Sequence, residues 1–291
     1  MSDGRAVTYL YDTTFDGFLT AVFEAYVDRN PEALIRPETV QTEFGQEYRT
    51  VETDREKSGR VARAIRSKMG TEVYHTVWTA FLKNTPEVTD DLYRYLRLGF
   101  CEGFRLPRLL TDPRVAAVNK HAALVSREAG HLLQFIRFAQ TVTGVYYAEI
   151  SPEFMVLPII MPHFAHRLNT QAFVIYDKSH TCSGLFDGHR WVLTTADGLQ
   201  APDLSENERA YRKLWKTFYD TVAIEERINP ELRRQLMPKK FWKHMTEMTE
   251  LPVPGSPASP AARPGADPSL PQPSCGLLHD GSSLAERPSS L

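Results

Sequence analysis

The chain has few cysteines, and their positions exclude several kinds of site. Only Cys101, Cys182 and Cys275 occur among its 291 residues, and no two of them are close enough to form a CxxC pair. A Cys-rich zinc knuckle and a radical-SAM iron–sulfur cluster are therefore excluded. Such sparing use of cysteine is typical of a reducing compartment, so we predict a cytoplasmic location.

The sequence also lacks the short motifs of the common hydrolytic and dinucleotide-binding enzymes. No GxxxxGK[ST], GxGxxG, HExxH or GxSxG segment is present, so P-loop, Rossmann, zincin and serine-hydrolase chemistry is not indicated. The longest apolar runs, such as 155–161, are much shorter than a bilayer span, and residues 1–6 do not resemble a secretory signal. We expect neither a membrane segment nor a cofactor.

Charge of one sign does not dominate, and composition changes sharply near the end of the chain. The 34 basic and 36 acidic residues give a formal net charge of −2, so any nucleic-acid binding must depend on local patches. Residues 252–291 contain 9 of the 20 prolines and no aromatic residue. We therefore predict a single folded domain over 1–251 and a disordered Pro/Ser/Gly-rich tail over 252–291.

Hydrophobic periodicity predicts an α+β fold that is mainly helical. Val7–Tyr11 alternates like a strand, and a helix follows whose stripe from Phe15 to Tyr26 is expected to face the core. Helical periods then continue over 54–69, 71–84, 89–104 and 115–140.

From residue 142 to 195 the period becomes two, which predicts an antiparallel sheet that the N-terminal strand could join. Its strands include the apolar run 155–160 and a hairpin at Asp187-Gly188. A late helix is expected to bury a stripe of five apolar residues: Tyr211, Leu214, Trp215, Phe218 and Val222.

A polar cluster follows the apolar run and could form a ligand site. On a helix, His163, His166 and Arg167 would share one face, and Asp177 ends a nearby predicted strand. Imidazole, guanidinium and carboxylate groups could bind a phosphate or a flipped base. The alternative is a polar connection between helix and sheet in which Arg167 pairs with Asp177. No metal is predicted, because a third good ligand at fixed spacing is missing.

A second polar pair lies on an otherwise apolar helix stripe. Glu128 and His131 are one turn apart, so the carboxylate could orient the imidazole for general-base work. Satisfied core polar groups would give the same pattern.

A row of basic residues is one of two basic tracts that stand out in the sequence. It contains no acidic residue between positions 57 and 68, and its members are Lys57, Arg60, Arg63, Arg66 and Lys68. On one broad helix face they could bind phosphates, although a solvated charged face is the alternative. A second basic tract over 209–243 is interleaved with aromatic residues and has the same two interpretations.

Five segments carry a family resemblance: Thr8 to Asp12 with Phe15 to Tyr26; Tyr147 to Pro152; His163 to Arg167; Val174 to Asp177; and Tyr211 to Trp215 through Arg227-Ile228-Asn229-Pro230 to Lys243. Together they resemble a bacterial family of DNA metabolism or repair proteins. Members of that family occur beside a radical-SAM DNA-repair protein or are fused ahead of a uracil-DNA glycosylase-like domain. The resemblance covers roughly 7–245, nearly all of the part that is predicted to fold.

The resemblance implies a role in DNA repair or modification, with DNA and a radical-SAM protein as partners. Among the matching positions it points to His163, Arg167 and Asp177 as site residues, with Glu128, Arg137 and Glu149 as weaker candidates. Because no glycosylase motif follows Leu251, we do not expect this chain alone to excise uracil.

Three functions are consistent with these patterns. The first is an accessory module of a repair system that binds nucleic acid or a partner through its basic helical faces. The second is an enzyme that acts on a nucleotide or a DNA end through a His/Asp/Arg site. The third is a protein-binding adaptor that does not contact DNA.

Overall fold

The computed structural model describes four stretches of the chain: 7–41, 45–196, 201–222 and 230–248. These residues form two compact units. The first unit comprises 7–128 with 153–156, and the second comprises 129–152 with the described residues after 156. The predicted tail, 252–291, lies outside the described residues, and a single folded domain over 1–251 stays a prediction.

The first unit is mainly helical and contains a small parallel sheet. Its elements are, in chain order, β1 (Val7–Tyr11), α1 (Phe15–Val27), β2 (Leu34–Pro37), β3 (Glu47–Thr50), α2 (Arg55–Met69), α3 (Thr71–Phe81), α4 (Pro86–Glu102), a 3₁₀ helix (Gly103–Arg108) and the first part of α5 (Pro113–Phe135).

Strand β1 is central in this sheet, and β2 and β3 both run parallel to it. The parallel pairing of β1 with β2 follows from the crossover that α1 makes between these two strands. The predicted strand Val7–Tyr11 is confirmed. Its proposed place in the antiparallel sheet is wrong, because its partners are β2 and β3.

Helix α1 begins where the sequence predicts and packs through aromatic side chains. The hydroxyl of Thr14 accepts the backbone N–H of Gly17 at 2.6 Å, which caps the first turn. Phe15 and Phe18 lie against Phe81 of α3, with ring centroids 5.1 and 5.6 Å apart. Tyr26, the last member of the predicted core stripe, is 56% exposed. The core stripe therefore ends before Tyr26.

Helix α2 is amphipathic, and its apolar face fixes where its charges lie. Asp54 caps its start by accepting the N–H of Glu56 at 2.8 Å. Val61, Ile65 and Met69 recur at four-residue spacing and are buried. The basic side chains of α2 consequently lie outside this buried face.

The second unit contains a five-stranded mixed sheet with helices. Its elements are, in chain order, the last part of α5, β4 (Ala139–Gln140), β5 (Tyr146–Ile150), α6 (Leu157–Arg167), β6 (Phe173–Asp177), β7 (Cys182–Phe186), β8 (Trp191–Thr195), α7 (Glu206–Val222), α8 (Pro230–Leu236) and a 3₁₀ helix (Lys239–His244). The strand order is β4-β5-β6-β7-β8. The mixed α+β class with helices in the majority is thus as predicted.

Two details of this sheet differ from the sequence-based prediction. The run 155–160 is not a strand, because α6 begins at Leu157, and a short apolar run alone does not distinguish a strand from a buried helix. Since α6 forms the crossover between β5 and β6, these two strands are parallel, whereas the other pairs are antiparallel. The predicted hairpin is confirmed, with Gly188 at φ 97° in its turn.

The predicted buried stripe of α7 is wrong. Four of its five members are exposed, and their exposed fractions are 70% for Tyr211, 65% for Leu214, 44% for Trp215 and 56% for Phe218. The fifth member is Val222, whose side chain is not among those that the structure describes. An amphipathic pattern shows that a helix has an apolar face, but it does not show what covers that face.

Candidate nucleic-acid interface

Helix α2 presents a group of basic side chains to solvent. Arg60, Arg63 and Lys68 are exposed, and Arg66 is partly exposed. Within the described stretches, no ion pair involves any of these four. Their charges are therefore available to an anionic ligand.

Lys57, the fifth member of the predicted row, is engaged within the fold. Its Nζ lies 2.7 Å from Oε1 of Glu24 and 3.8 Å from Oδ2 of Asp54. The hydrogen bond to Glu24 raises the pKa of Lys57 above its ordinary value. A phosphate would have to compete with Glu24 for this ammonium group, so Lys57 is less suited to phosphate binding than the other four.

Three of the available cations lie over aromatic rings of neighbouring helices. The distances to the ring centroids are 3.8 Å for Arg66 over Tyr74, 5.1 Å for Arg60 over Phe23, and 5.8 Å for Lys68 over Phe100. All three lie within the range of cation–π attraction. The rings thus restrict these long side chains, which otherwise have many rotamers.

A groove of about 210 Å³ lies between α1, α2 and α4 in the first unit. Among its lining residues are three aromatic and two basic side chains: Phe23, Tyr26, Phe100, Arg60 and Lys68. The exposed ring of Tyr26 lies 5.6 Å from that of Phe100, in an edge-to-face arrangement. Cations beside exposed rings can bind a phosphate backbone while bases stack on the aromatic faces.

The polar cluster predicted around α6 is not brought together by hydrogen bonds or ion pairs within the described residues. His163 and Arg167 are exposed on α6. Asp177 is 1% exposed at the end of β6, where its carboxylate accepts from Nδ1 of His180 at 2.7 Å and from the backbone of Ser179 at 3.0 Å. The partner of Asp177 is therefore His180, and the alternative pairing with Arg167 is wrong.

Burial raises the pKa of Asp177, and its hydrogen bond with His180 opposes that effect. A buried carboxylate with a ring N–H and backbone donors is a well-satisfied structural pair. A catalytic role for His163, Arg167 and Asp177 stays a prediction.

Glu128 is buried and His131 is partly buried, and the two have different neighbours. Glu128, in the first unit, is 3% exposed and accepts the backbone N–H groups of Glu153 and Phe154. His131, in the second unit, packs against Phe241 with ring centroids 5.6 Å apart. Catalysis by this pair stays a prediction.

The second unit contains a polar cavity of about 260 Å³ that the sequence analysis indicated only in part. Its polar lining consists of Arg137, Tyr147, Glu149, Arg212, Lys243, His244 and Thr246. Arg137 and Glu149 are weaker candidates from the family resemblance, whereas Arg212, Lys243 and His244 were not identified as site residues. Arg212 and Lys243 belong to the basic tract over 209–243, which is the sequence feature that could have indicated them, and His244 directly follows it.

His244 is a partly buried titratable group at this cavity. Burial lowers its pKa to about 4, Lys243 and Lys178 act in the same direction, and Glu149 opposes them. Its Nε2 lies 3.1 Å from the hydroxyl of Ser151, and its Nδ1 lies 3.8 Å from Oε1 of Glu149. The imidazole is thus neutral near pH 7, and the hydrogen bond to Ser151 orients it.

The described residues contain no group of three or more His, Cys, Asp or Glu side chains placed to hold a metal ion. Among them, no helix has the length and apolar character needed to cross a membrane.

Residues 86–247 match the model of the family DUF4130, which is described as a domain of unknown function. No curated protein matches the chain.

Proposed function

We propose that this chain, which belongs to the DUF4130 family, binds single-stranded nucleic acid as an accessory module in DNA repair or metabolism. The observation that carries this proposal is the groove of the first unit, where Arg60 and Lys68 line the same surface as the exposed ring of Tyr26 and the partly exposed rings of Phe23 and Phe100. The repair context rests on the sequence resemblance described above, and so does the proposal that a radical-SAM repair protein is the partner.

The composition of the groove favours single strands over duplex DNA. An exposed ring such as that of Tyr26 can stack only on a base that is not paired and stacked within a duplex. The charges contribute a sequence-independent attraction to phosphates, which weakens as salt concentration rises. Binding should therefore depend on salt, prefer single strands and show little sequence preference.

Fluorescence anisotropy of the full chain tests this function. Labelled single-stranded, duplex and uracil-containing oligonucleotides would be titrated across a salt series. The double variant Arg60→Gln/Lys68→Gln should reduce the slope of log affinity against log salt by about 1 to 2, because each lost phosphate contact removes about 0.7 in a single strand.

A matched control removes the same charge elsewhere in the first unit. Lys120 and Arg127 are exposed on α5 and do not line the groove. Lys120→Gln/Arg127→Gln should bind like the wild type. Loss of binding in the control but not in the groove variant would overturn the proposal, as would an absence of binding at low salt.

A second candidate function, a protein-binding adaptor, is favoured by the exposed apolar side chains of α7. Leu214 and Phe218 are 65% and 56% exposed, and adjacent exposed apolar side chains commonly mark protein interfaces. The test is a titration of the radical-SAM repair protein with the wild type and with Leu214→Glu. Weaker association of Leu214→Glu, with oligonucleotide binding unchanged, would support this candidate.

A further inference from the structure

We propose that the cavity of the second unit binds a phosphate monoester, with Lys243 and Tyr147 donating hydrogen bonds to the phosphate group. This site lies in a different unit from the groove of α1, α2 and α4, and it is independent of the function proposed above. The inference rests on the charges of the lining residues, on one unsatisfied buried hydroxyl, and on the size of the cavity.

The charged lining of the cavity favours an anion. Arg137, Arg212 and Lys243 contribute three cations, and among the described lining residues Glu149 is the one carboxylate. Glu149 is itself 3.5 Å from the ammonium group of Lys178. When Lys178 and the carboxylates that pair with the two arginines, Glu208 and Glu247, are included, four cations stand against three carboxylates. The excess is one positive charge, that of Lys243.

Carboxylates hold the two arginines in place. Glu247 is buried and lies 2.6 Å from Nη2 of Arg137, and Glu208 lies 2.9 Å from Nε of Arg212. Such partners orient a guanidinium group before a ligand arrives, which reduces the entropy lost on binding. Lys243 has no ion pair within the described residues, so its ammonium group is the cation most available to a phosphate.

Tyr147 contributes a second donor that lacks a partner. Its side chain is 8% exposed, and no hydrogen bond to its hydroxyl is formed within the described residues. Tyr147 and Glu149 are two positions apart on β5, so they share one face of the strand, and both line the cavity. A buried hydroxyl without a hydrogen-bond partner lowers the stability of the folded state, and an oxygen atom of a ligand could accept its hydrogen bond.

The remaining lining suits the rest of such a ligand. Ala139, Leu204 and Met245 form an apolar part of the wall, against which a base or sugar could pack. A volume of about 260 Å³ is several times that of one water molecule, so the cavity has room for more than inorganic phosphate. A free nucleoside monophosphate and the 5′-phosphorylated end of a DNA strand share this chemistry.

Isothermal titration calorimetry of the full chain with adenosine 5′-monophosphate, and with adenosine alone, tests the proposal. Lys243→Gln should weaken monophosphate binding at least about tenfold, because it removes a hydrogen bond to a charged group. Tyr147→Phe keeps the ring and should weaken binding about three- to tenfold. The matched control is Lys213→Gln, at an exposed position of α7 that does not line the cavity.

The calorimetric titrations have outcomes that support the phosphate site and outcomes that contradict it. Binding of the monophosphate but not of adenosine, weakened by Lys243→Gln and Tyr147→Phe and unchanged by Lys213→Gln, would support the site. Equal affinity for adenosine and its monophosphate would overturn it, and so would an absence of binding at millimolar concentration. Circular dichroism of each variant would verify that it folds.

A second experiment distinguishes a free nucleotide from a DNA end as the source of the phosphate. It also tests the cavity of the second unit separately from the groove of the first unit. Oligonucleotides with and without a 5′-phosphate would be titrated into the Arg60→Gln/Lys68→Gln background, in which the groove of the first unit is impaired. Tighter binding of the phosphorylated strand than of the monophosphate would identify a DNA end. Monophosphate binding should be the same in this background as in the wild type.

Discussion

The buried carboxylate of Glu128 accepts the backbone N–H of Phe154 at 2.9 Å. The N–H of Glu153 donates to the same carboxylate at 3.0 Å. Residues 153–156 belong to the first unit although 129–152 belong to the second. These hydrogen bonds are therefore among the contacts that attach the returning segment to the first unit.

Replacement of Glu128 by alanine should destabilise the protein. Two backbone donors would lose a charged acceptor, and we expect the free energy of unfolding to fall by about 2 to 4 kcal/mol. Glu128→Gln retains one oxygen acceptor and should lose about half as much. Urea unfolding followed by tryptophan fluorescence measures both values. Wild-type stability in Glu128→Ala would show that these bonds contribute nothing.

The exposed face of α7 gives a prediction that opposes the sequence-based interpretation. Because Leu214 is 65% exposed, Leu214→Ala should change the free energy of unfolding by less than about 0.5 kcal/mol. The matched control is Leu92→Ala, at a residue that is 0% exposed in α4, and it should cost about 2 to 5 kcal/mol. A similar loss at both positions would mean that α7 is covered after all.

His244 makes stability depend on pH in a defined direction. Its pKa falls from 6.5 to about 4 on folding, so between these values the unfolded chain binds a proton that the folded chain does not. Its contribution to stability is complete above about pH 6.5 and is lost as the pH falls towards 4. His244→Gln should flatten the stability curve in this window. The control, His163→Gln, alters an exposed residue of α6, and parallel curves for His244→Gln and the wild type would contradict the account.

The contributions of base stacking and of charge to nucleic-acid binding at the groove should be separable by mutation. Tyr26→Ala removes an exposed ring without altering charge, so we expect affinity for single strands to fall by about 1 to 3 kcal/mol with an unchanged salt slope. Tyr26→Phe keeps the ring and should bind like the wild type. The anisotropy titrations described above measure both quantities. Equal affinity in Tyr26→Ala would show that no base stacks there.

Local patterns were enough to predict most helices and several strands. The 3.6-residue period over 54–69 corresponds to α2, Arg55–Met69, and the Asp187-Gly188 turn corresponds to the β7–β8 hairpin. These features are determined by neighbouring residues, through capping, turn chemistry and amphipathic spacing. The apolar run 155–160 was ambiguous because it is short and offers no periodicity.

Tertiary contacts account for what the sequence did not reveal. The basic row on α2 is visible in the sequence, but Phe23 and Tyr26 lie on α1 and Phe100 lies on α4, and nothing local indicates that these two helices meet beside α2. Arg137 and Lys243 line one cavity although they are far apart in the chain. The pairing of Asp177 with His180 is local, since the two are three residues apart, but sequence alone does not show how the turn between β6 and β7 places the two side chains.

Photo-crosslinking is the most direct test of the nucleic-acid interface. A single-stranded oligonucleotide containing 5-bromodeoxyuridine would be irradiated with the full chain at low salt, and the attached peptides would be identified by mass spectrometry. We predict attachment at Tyr26 or Phe100, and its loss when Arg60→Gln/Lys68→Gln replaces the wild type. Attachment confined to the second unit, or equal yield in that variant, would contradict the assignment of this groove as the site of nucleic-acid binding.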